Sequence, residues 1–299
     1  MELKSALLEQ KPTTSFGSHL VAGEMGDLIN IHEYNFTVNK MREFFISRGF
    51  VEVPVQSRLS ILAACEDPET VRTFEFGNAV WPLPQTGQVW LEYELLNNPD
   101  VNGVFCISTS YRDEQNPIEG RHDRIFPMFE FESRGTVQDL MQLEKDLLTH
   151  MGFTSFMKQV SYNDAAKFYG AETVEAEHEN KMTADFAPIV FLTDFPMRSH
   201  PFWNMKQLDA DRFAKVDVIL HGMETIGSAE RSCNPEEMKS NFHSVSNGQY
   251  ANLLFSQFGK ERVQKELESY LKLAMTPRFG AGIGVTRMIK ALKTEGVLN

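Results

Sequence analysis

The sequence predicts an α+β fold with an antiparallel sheet. Predicted strands follow one another through loops and hairpins, whereas a parallel sheet would need regular alternation of strands and helices. No Pro-, Gly- or Ser-rich linker divides the 299 residues, so we expect one domain over residues 31–299. Residues 1–30 are mixed in character and form a predicted N-terminal extension.

The elements of the first half are predicted from hydrophobic periodicity and its breaks. Apolar residues at helical spacing predict a helix over 30–47, and Arg48-Gly49 ends it. Residues 50–53 alternate like the strand that follows. The further elements are a hairpin of strands 72–76 and 79–83, a helix over 89–96, strands 103–108 and 125–132, and a helix over 137–151.

The second half is predicted from the same signals. Residues 161–190 predict weak helices with an acidic patch at 172–179. Strands are expected at 189–192 and 216–220, followed by helices over 235–257 and 261–274. The chain then continues into a glycine-rich strand and a short helix.

The amino-acid composition limits the kinds of partner that the protein is expected to bind. The chain carries 29 Lys+Arg against 41 Asp+Glu, a formal charge of −12, which works against a large nucleic-acid footprint. The three cysteines, Cys65, Cys106 and Cys233, are too far apart in sequence to suggest a zinc cage or a disulfide framework. This cysteine pattern fits a reducing cytosol, so we expect a cytoplasmic protein. The sequence contains neither a long apolar run nor a signal-peptide pattern, so we expect no membrane span.

A glycine-rich segment lies near the end of the sequence. Residues 280–287 read G-A-G-I-G-V-T-R, so the glycines share one face of a strand and leave it open to a flat ring or another element. The pattern is G-x-G-x-G, and too few residues follow for a dinucleotide-binding βαβ unit. Tight strand–helix packing, with Arg287 as a solvated charge, is the alternative.

Two charged clusters are candidate binding sites. Arg112, Arg121, His122 and Arg124 lie around one predicted loop, where guanidinium groups suit a polyphosphate and Phe126 offers a face for adenine. A solvated hairpin with internally paired charges remains the alternative. The acids at 217 and 224 suit Mg²⁺, or else are two exposed carboxylates.

Together these segments resemble the signature motifs of class II aminoacyl-tRNA synthetases of the aspartyl/asparaginyl/lysyl subgroup. Residues 111–132 resemble motif 2, residues 280–287 resemble motif 3, and residues 217–231 resemble the subgroup's G-x-E segment with its upstream aspartate. The resemblance covers residues 30–299. It implies an antiparallel sheet flanked by helices and a homodimer.

The resemblance also implies a role for each matching residue. In the nucleotide site, Arg112 would hold the α-phosphate and Arg121 with His122 the γ-phosphate, Phe126 and Arg287 would stack on adenine, and Glu114 would lie on the nucleotide side. Arg112 and Arg287 would be the catalytic residues. Asp217 and Glu224 would carry Mg²⁺, and Gln88, Glu66 and Arg231 would bind the amino acid.

Two positions bear on the choice of amino acid. Arg231 stands where the aspartyl and asparaginyl types place an arginine against the substrate side chain, which disfavours lysine. Leu91 stands where the aspartyl type uses a lysine, so the pocket is expected to be closer to the asparaginyl type.

The departures from the family pattern shape the functional prediction. Gln56 stands where motif 1 has proline, and Glu230 replaces a glutamine and is expected to add charge near the pocket. Residues 1–30 are too few for the anticodon-binding barrel that precedes the family's catalytic domain, so we expect no such domain. The chain is therefore expected to resemble a free-standing paralogue such as the archaeal asparagine synthetase related to asparaginyl-tRNA synthetase.

The predicted activity follows from these features. We expect ATP- and Mg²⁺-dependent formation of an aminoacyl-adenylate from aspartate or asparagine, and transfer to ammonia or another amine. A tRNA ligase of the Asp/Asn type is the first alternative. A non-catalytic, ATP-binding or regulatory paralogue is the second.

Overall fold

The computed structural model describes residues 29–56, 59, 70–114, 117–118, 120–199 and 201–299. Its strands in chain order are β1 (Val51–Glu52), β2 (Thr73–Phe76), β3 (Ala79–Pro82), β4 (Gly103–Tyr111), β5 (Ile125–Arg134), β6 (Met157–Ser161), β7 (Ile189–Pro196), β8 (Arg212–Leu220), β9 (Met223–Glu230) and β10 (Arg278–Gly284). Its helices are α1 (Ile31–Ser47), α2 (Gln88–Asn97), α3 (Val137–Met151), α4 (Tyr162–Tyr169), α5 (Ala176–Asp185), α6 (Pro235–Ser244), α7 (Gln249–Phe258), α8 (Lys260–Leu271) and α9 (Val285–Thr294).

The large sheet confirms the predicted fold class. Its strand order is β1-β4-β5-β10-β9-β8-β7-β6, and the hairpin β2-β3 forms a separate two-stranded sheet. The central pairings are antiparallel, while β1 pairs with β4 and β6 pairs with β7 in parallel. The sheet is thus mostly antiparallel, as expected. Of its two short edge strands, β1 was expected within residues 50–53, whereas β6 was not expected.

Two helical layers cover the sheet. On one face, α1, α3 and α9 enclose an aromatic core in which Phe105 and Phe129 stack at 5.2 Å, with Phe45 at 5.2 Å from Phe129. On the other face, α6, α7 and α8 pack around Trp203, which is completely buried. Burial of these rings supplies a large apolar area on both faces of the sheet. The glycine-rich strand β10 lies at the centre.

Helix boundaries follow local capping signals. Asn30 caps α1 by accepting the His32 N–H at 2.9 Å, so α1 begins where the sequence predicts. The single helix expected over 235–257 is wrong. The chain breaks between α6 and α7, where Ser246 and Asn247 adopt φ of 52° and 54° in the left-handed region. Residues 1–28 lie outside the described part, so the boundary of the extension stays a prediction.

No helix in the part of the chain that the structure describes has the length and apolar character needed to cross a membrane.

Candidate active site

A single pocket gathers the predicted site residues on the sheet face that also carries α6–α8. Of those predictions, Glu66 falls outside the described residues. All the others line the pocket: Gln88, Arg112, Glu114, Arg121, His122, Phe126, Asp217, Glu224, Arg231 and Arg287. Residues that are up to 199 positions apart in the sequence are therefore brought to one cleft, as the resemblance implies.

The glycines of β10 form the floor. Gly280 pairs with Glu132, and Gly282 pairs with Glu130, so the glycines and these acids share one face of the sheet. A Cβ added to Gly280 would lie 1.9 Å from Glu132 Oε1, and one added to Gly282 would lie 2.7 Å from the Met128 side chain. The bare face predicted for this strand thus accommodates side chains of the adjacent β5.

Gly280→Ala is expected to lower the free energy of unfolding by about 2–3 kcal/mol, because a buried side chain would be forced from its place. Glu132 is fully buried and bound to Arg231, so it has little room to move. Urea unfolding measures the change. Gly284→Ala is the matched control, since its nearest contact would be 3.6 Å away. Equal destabilisation of both variants would contradict this account of the floor.

The end of the pocket that is predicted to hold adenine is formed by β4 and β5. The Arg112 guanidinium lies 5.5 Å from the centre of the Phe126 ring, and the Arg112 N–H donates to the Arg124 carbonyl at 2.8 Å. The two residues lie on opposite sides of the loop between the strands. Arg112 therefore lies over one face of the Phe126 ring, a cation–π arrangement.

Arg121 is held by a helix that the sequence did not assign to the site. Its Nη2 contacts the Glu179 carboxylate on α5, and its Nη1 lies 3.4 Å from the Gly222 carbonyl. Glu179 also accepts the Glu224 N–H at 3.2 Å. Burial and the nearby Glu224 raise the pKa of Glu179, while Arg121 opposes that rise. The acidic patch predicted at 172–179 thus reaches the pocket through its last residue.

Arg287 and His122 complete the nucleotide end. Arg287 donates to the carbonyls of Glu224 at 2.8 Å and Arg121 at 3.3 Å, so both backbones orient its guanidinium. His122 Nδ1 lies 2.6 Å from the Glu114 carboxylate. Burial lowers the pKa of His122, although Glu114 opposes the change. His122 is therefore a neutral imidazole near pH 7.

The two candidate metal ligands converge on Gly227. A Cβ at Gly227 would lie 3.2 Å from Glu224 Oε1 and 3.7 Å from Asp217 Oδ1, so both oxygens face one small volume. Burial disfavours the charged form of Glu224, but the cations Arg287 and Lys215 outweigh it and hold its pKa below the usual range. Within the described ranges no three His, Cys, Asp or Glu side chains form a complete protein cage. Two carboxylate oxygens supplemented by phosphate and water fit Mg²⁺.

The amino-acid end centres on Arg231. Arg231 Nη2 donates to Glu132 Oε1 at 2.5 Å and to Gln88 Oε1 at 3.0 Å, and Nε donates to Glu132 at 3.1 Å. Burial raises the pKa of Glu132, and Arg231 opposes that rise. A second buried acid, Glu92, receives a 2.8 Å hydrogen bond from Arg278 behind this pair. The Arg231 guanidinium is therefore fixed before any substrate arrives.

Leu91 is completely buried in a small core with Leu95 and does not line the pocket, so the asparaginyl character inferred from it stays a prediction. The expectation that Glu230 adds charge near the pocket is wrong. Glu230 pairs with Phe279 on the opposite face of the sheet, where it accepts the Val137 N–H at 2.9 Å. It stabilises the positive end of α3 and adds no charge to the pocket.

The sequence pattern of the family described as tRNA synthetases class II (D, K and N) matches residues 21–296. The chain belongs to this family. The pocket therefore lies in a class II synthetase domain of the Asp/Asn/Lys group, and the predicted resemblance is confirmed. Comparison with curated protein sequences finds no significant match.

Solved synthetase structures share the fold. Asparaginyl-tRNA synthetase from Pyrococcus horikoshii, complexed with asparaginyl-adenylate, superposes with a TM-score of 0.72 at 20% identity, covering 89% of this chain and 65% of that one. Asparaginyl-tRNA synthetase from Entamoeba histolytica in complex with asparaginyl-adenylate superposes with a TM-score of 0.69 at 19% identity, covering 89% of this chain and 64% of that one. Aspartyl tRNA synthetase from Entamoeba histolytica superposes with a TM-score of 0.66 at 17% identity, covering 90% of this chain and 56% of that one. The chain thus spans less than two thirds of the length of each.

Proposed function

We propose that the protein activates aspartate or asparagine with ATP, forming the aminoacyl-adenylate and releasing pyrophosphate. One observation carries the proposal: guanidinium groups for a triphosphate and two converging carboxylates for Mg²⁺ line the same pocket. The family to which the chain belongs supports it. Two of the similar structures are described as complexes with asparaginyl-adenylate.

The proposed reaction is an in-line displacement. The α-carboxylate of the amino acid attacks the α-phosphorus, a P–O bond to the β-phosphate breaks, and pyrophosphate leaves. Arg112 neutralises charge at the α-phosphate, while Phe126 and Arg287 hold the adenine. The protein contributes mainly by positioning the two substrates and by stabilising the negative charge in the transition state. Bound Mg²⁺, held by Asp217 and Glu224, would supply further charge neutralisation.

The amino-acid end favours a carboxylate or amide side chain. Arg231 presents N–H donors whose direction is set by Glu132 and Gln88. A carboxylate or amide oxygen accepts from such donors, whereas the ammonium of lysine offers only more donors and positive charge. We assign Gln88 and Arg231 to substrate binding, and Glu66 remains a predicted third ligand.

Ammonia or another amine is the proposed acceptor, and tRNA is the runner-up. A net charge of −12 leaves few cations for the counterion release that drives polynucleotide binding. A homodimer and a cytoplasmic location are proposed with this function from the family resemblance and the cysteine pattern, with Gln56 as a departure at the motif 1 interface. A non-catalytic paralogue is less well supported, because Arg112, Arg287, Asp217 and Glu224 all line the pocket.

Pyrophosphate exchange tests the activation step. We expect aspartate or asparagine to support exchange on the order of a hundredfold faster than lysine, because Arg231 pairs with an oxygen acceptor and repels an ammonium. Arg231→Met should remove most of this preference. Lysine exchange that exceeds the other two would contradict the assignment, and no exchange with any amino acid would favour the non-catalytic alternative.

A second assay identifies the acceptor. Labelled amino acid and ATP are supplied with either ammonia or bulk tRNA, and the label is followed into amide or charged tRNA. We expect amide product without tRNA. Efficient charging of tRNA would establish the runner-up and overturn the amine assignment, without affecting the activation step.

A further inference from the structure

A lysine that the sequence did not single out lies on the floor of the pocket. Lys215 is on β8, two residues before Asp217, so both side chains point to the same face of the sheet. Lys215 pairs in register with Ala229, and Asp217 pairs with Gly227. The Lys215 side chain is only 10% exposed, and its Nζ lies 4.4 Å from the centre of the Phe195 ring. It is thus a buried cation beside the proposed metal ligands.

The two carboxylate oxygens of Asp217 face different surroundings. Its Oδ2 lies 3.3 Å from Lys215 Nζ. Its Oδ1 faces the volume beside Gly227, towards which Glu224 Oε1 also points. Lys215 Nζ therefore lies against one carboxylate oxygen of Asp217, while the other carboxylate oxygen faces the volume shared with Glu224. A cation coordinated through Oδ2 would have to displace the ammonium or approach it closely.

We propose that Lys215 is a tethered cation of the nucleotide site, where it contacts a phosphate of the bound nucleotide and takes the place of a second divalent ion at Asp217. This inference rests on the proposed function. It assigns one divalent ion to the Asp217–Glu224 pair. The lysine neutralises the other side of the carboxylate and adds a positive charge that needs no metal in solution.

The charge distribution favours this role. An ammonium on a four-carbon stem is a compact point charge with three donors, so it can contact Asp217 and a phosphate oxygen together. Like-charge repulsion at a few ångströms is strong in a sheltered site and disfavours a second divalent ion beside Lys215. Phe195 supports the ammonium through its ring face.

The test uses the whole protein, the nucleotide α,β-methylene-ATP and Mn²⁺ as probes. Electron paramagnetic resonance counts bound Mn²⁺, and calorimetry measures nucleotide affinity in the presence of EDTA. We expect Lys215→Met to bind one more Mn²⁺ per nucleotide complex than the wild type. In EDTA it should bind the nucleotide about tenfold more weakly, since a charge-assisted contact is lost. Lys215→Arg should behave like the wild type.

Lys206→Met is the matched control. Lys206 pairs with Glu230 at 2.7 Å and lies outside the pocket lining, so neither readout should change. Lys215→Gln serves if the methionine variant fails to fold. A gain of Mn²⁺ without loss of metal-free nucleotide affinity would overturn the proposal, because a merely structural ion pair behaves in this way. Unchanged Mn²⁺ stoichiometry would also overturn it. A wild type that binds no nucleotide at all would instead count against the proposed function.

Discussion

Combining Asp217→Asn with Glu224→Gln is expected to lower pyrophosphate exchange by on the order of a thousandfold or more. The two carboxylate oxygens face one volume beside Gly227, and neutral amides hold Mg²⁺ poorly. The depressed pKa of Glu224 means that this carboxyl group is ionised at neutral pH, so its substitution removes charge that is present. The chain should still fold, because both amides keep the size of the acids.

The control is a double variant of exposed acids, Glu177→Gln with Asp211→Asn. The Glu177 side chain is 73% exposed, and Asp211 is also exposed. A cooperative thermal unfolding transition first establishes that each double variant is folded. Pyrophosphate exchange is then measured for both. If the Asp217–Glu224 variant exchanged pyrophosphate at the rate of the control, the two acids would be no more than charges lining the pocket.

Local signals explain the parts of the fold that the sequence predicted well. Helix α3 begins and ends where expected because Asp139 accepts the Thr136 N–H at 2.8 Å and Gly152 adopts a left-handed φ of 104°. The glycines of β10 were assigned to one face because side chains alternate along a strand. Each of these inferences needs only a few consecutive residues.

The parts that were missed depend on contacts between distant segments. Nothing local connects Glu179 with Arg121, which lies 58 residues earlier and on another element. The burial of Leu91 depends on how α2 packs against β4, which a motif alignment does not show. The position of Lys215 in the pocket could have been predicted from the sequence. Strand β8 starts at Arg212, whereas the predicted strand started at residue 216, and the earlier start would have placed Lys215 on the face of Asp217.

A fully buried acid on α3 is expected to have a large effect on the pH dependence of stability. Glu144 on α3 is completely buried, and neither carboxylate oxygen has a hydrogen-bond partner among the described residues. The nearby Ser228 hydroxyl donates instead to the Val216 carbonyl at 2.8 Å. Burial raises the pKa of Glu144 from its ordinary value of 4.5 to about 8. The side chain is therefore neutral in the folded protein at pH 7.

This pKa shift makes stability depend on pH. Between about 4.5 and about 8, Glu144 is protonated when folded and ionised when unfolded, so unfolding releases a proton. The contribution of Glu144 to stability is therefore fully present below pH 4.5 and is lost as the pH rises towards 8. Glu144→Gln should remove this loss, because the amide does not titrate. At pH 8 the variant should be more stable than the wild type by about 2–5 kcal/mol.

Urea unfolding at pH 4.5, 6 and 8 measures the effect. The difference between Glu144→Gln and the wild type should be near zero at pH 4.5 and should grow steadily to pH 8. Glu43→Gln on α1 replaces an exposed glutamate and serves as the control, with a difference that stays small throughout. A Glu144→Gln variant that is equally destabilised at all three pH values would show that folding does not shift the pKa of Glu144. The stabilisation expected at pH 8 arises because ionising a buried carboxyl group without a charged partner is costly.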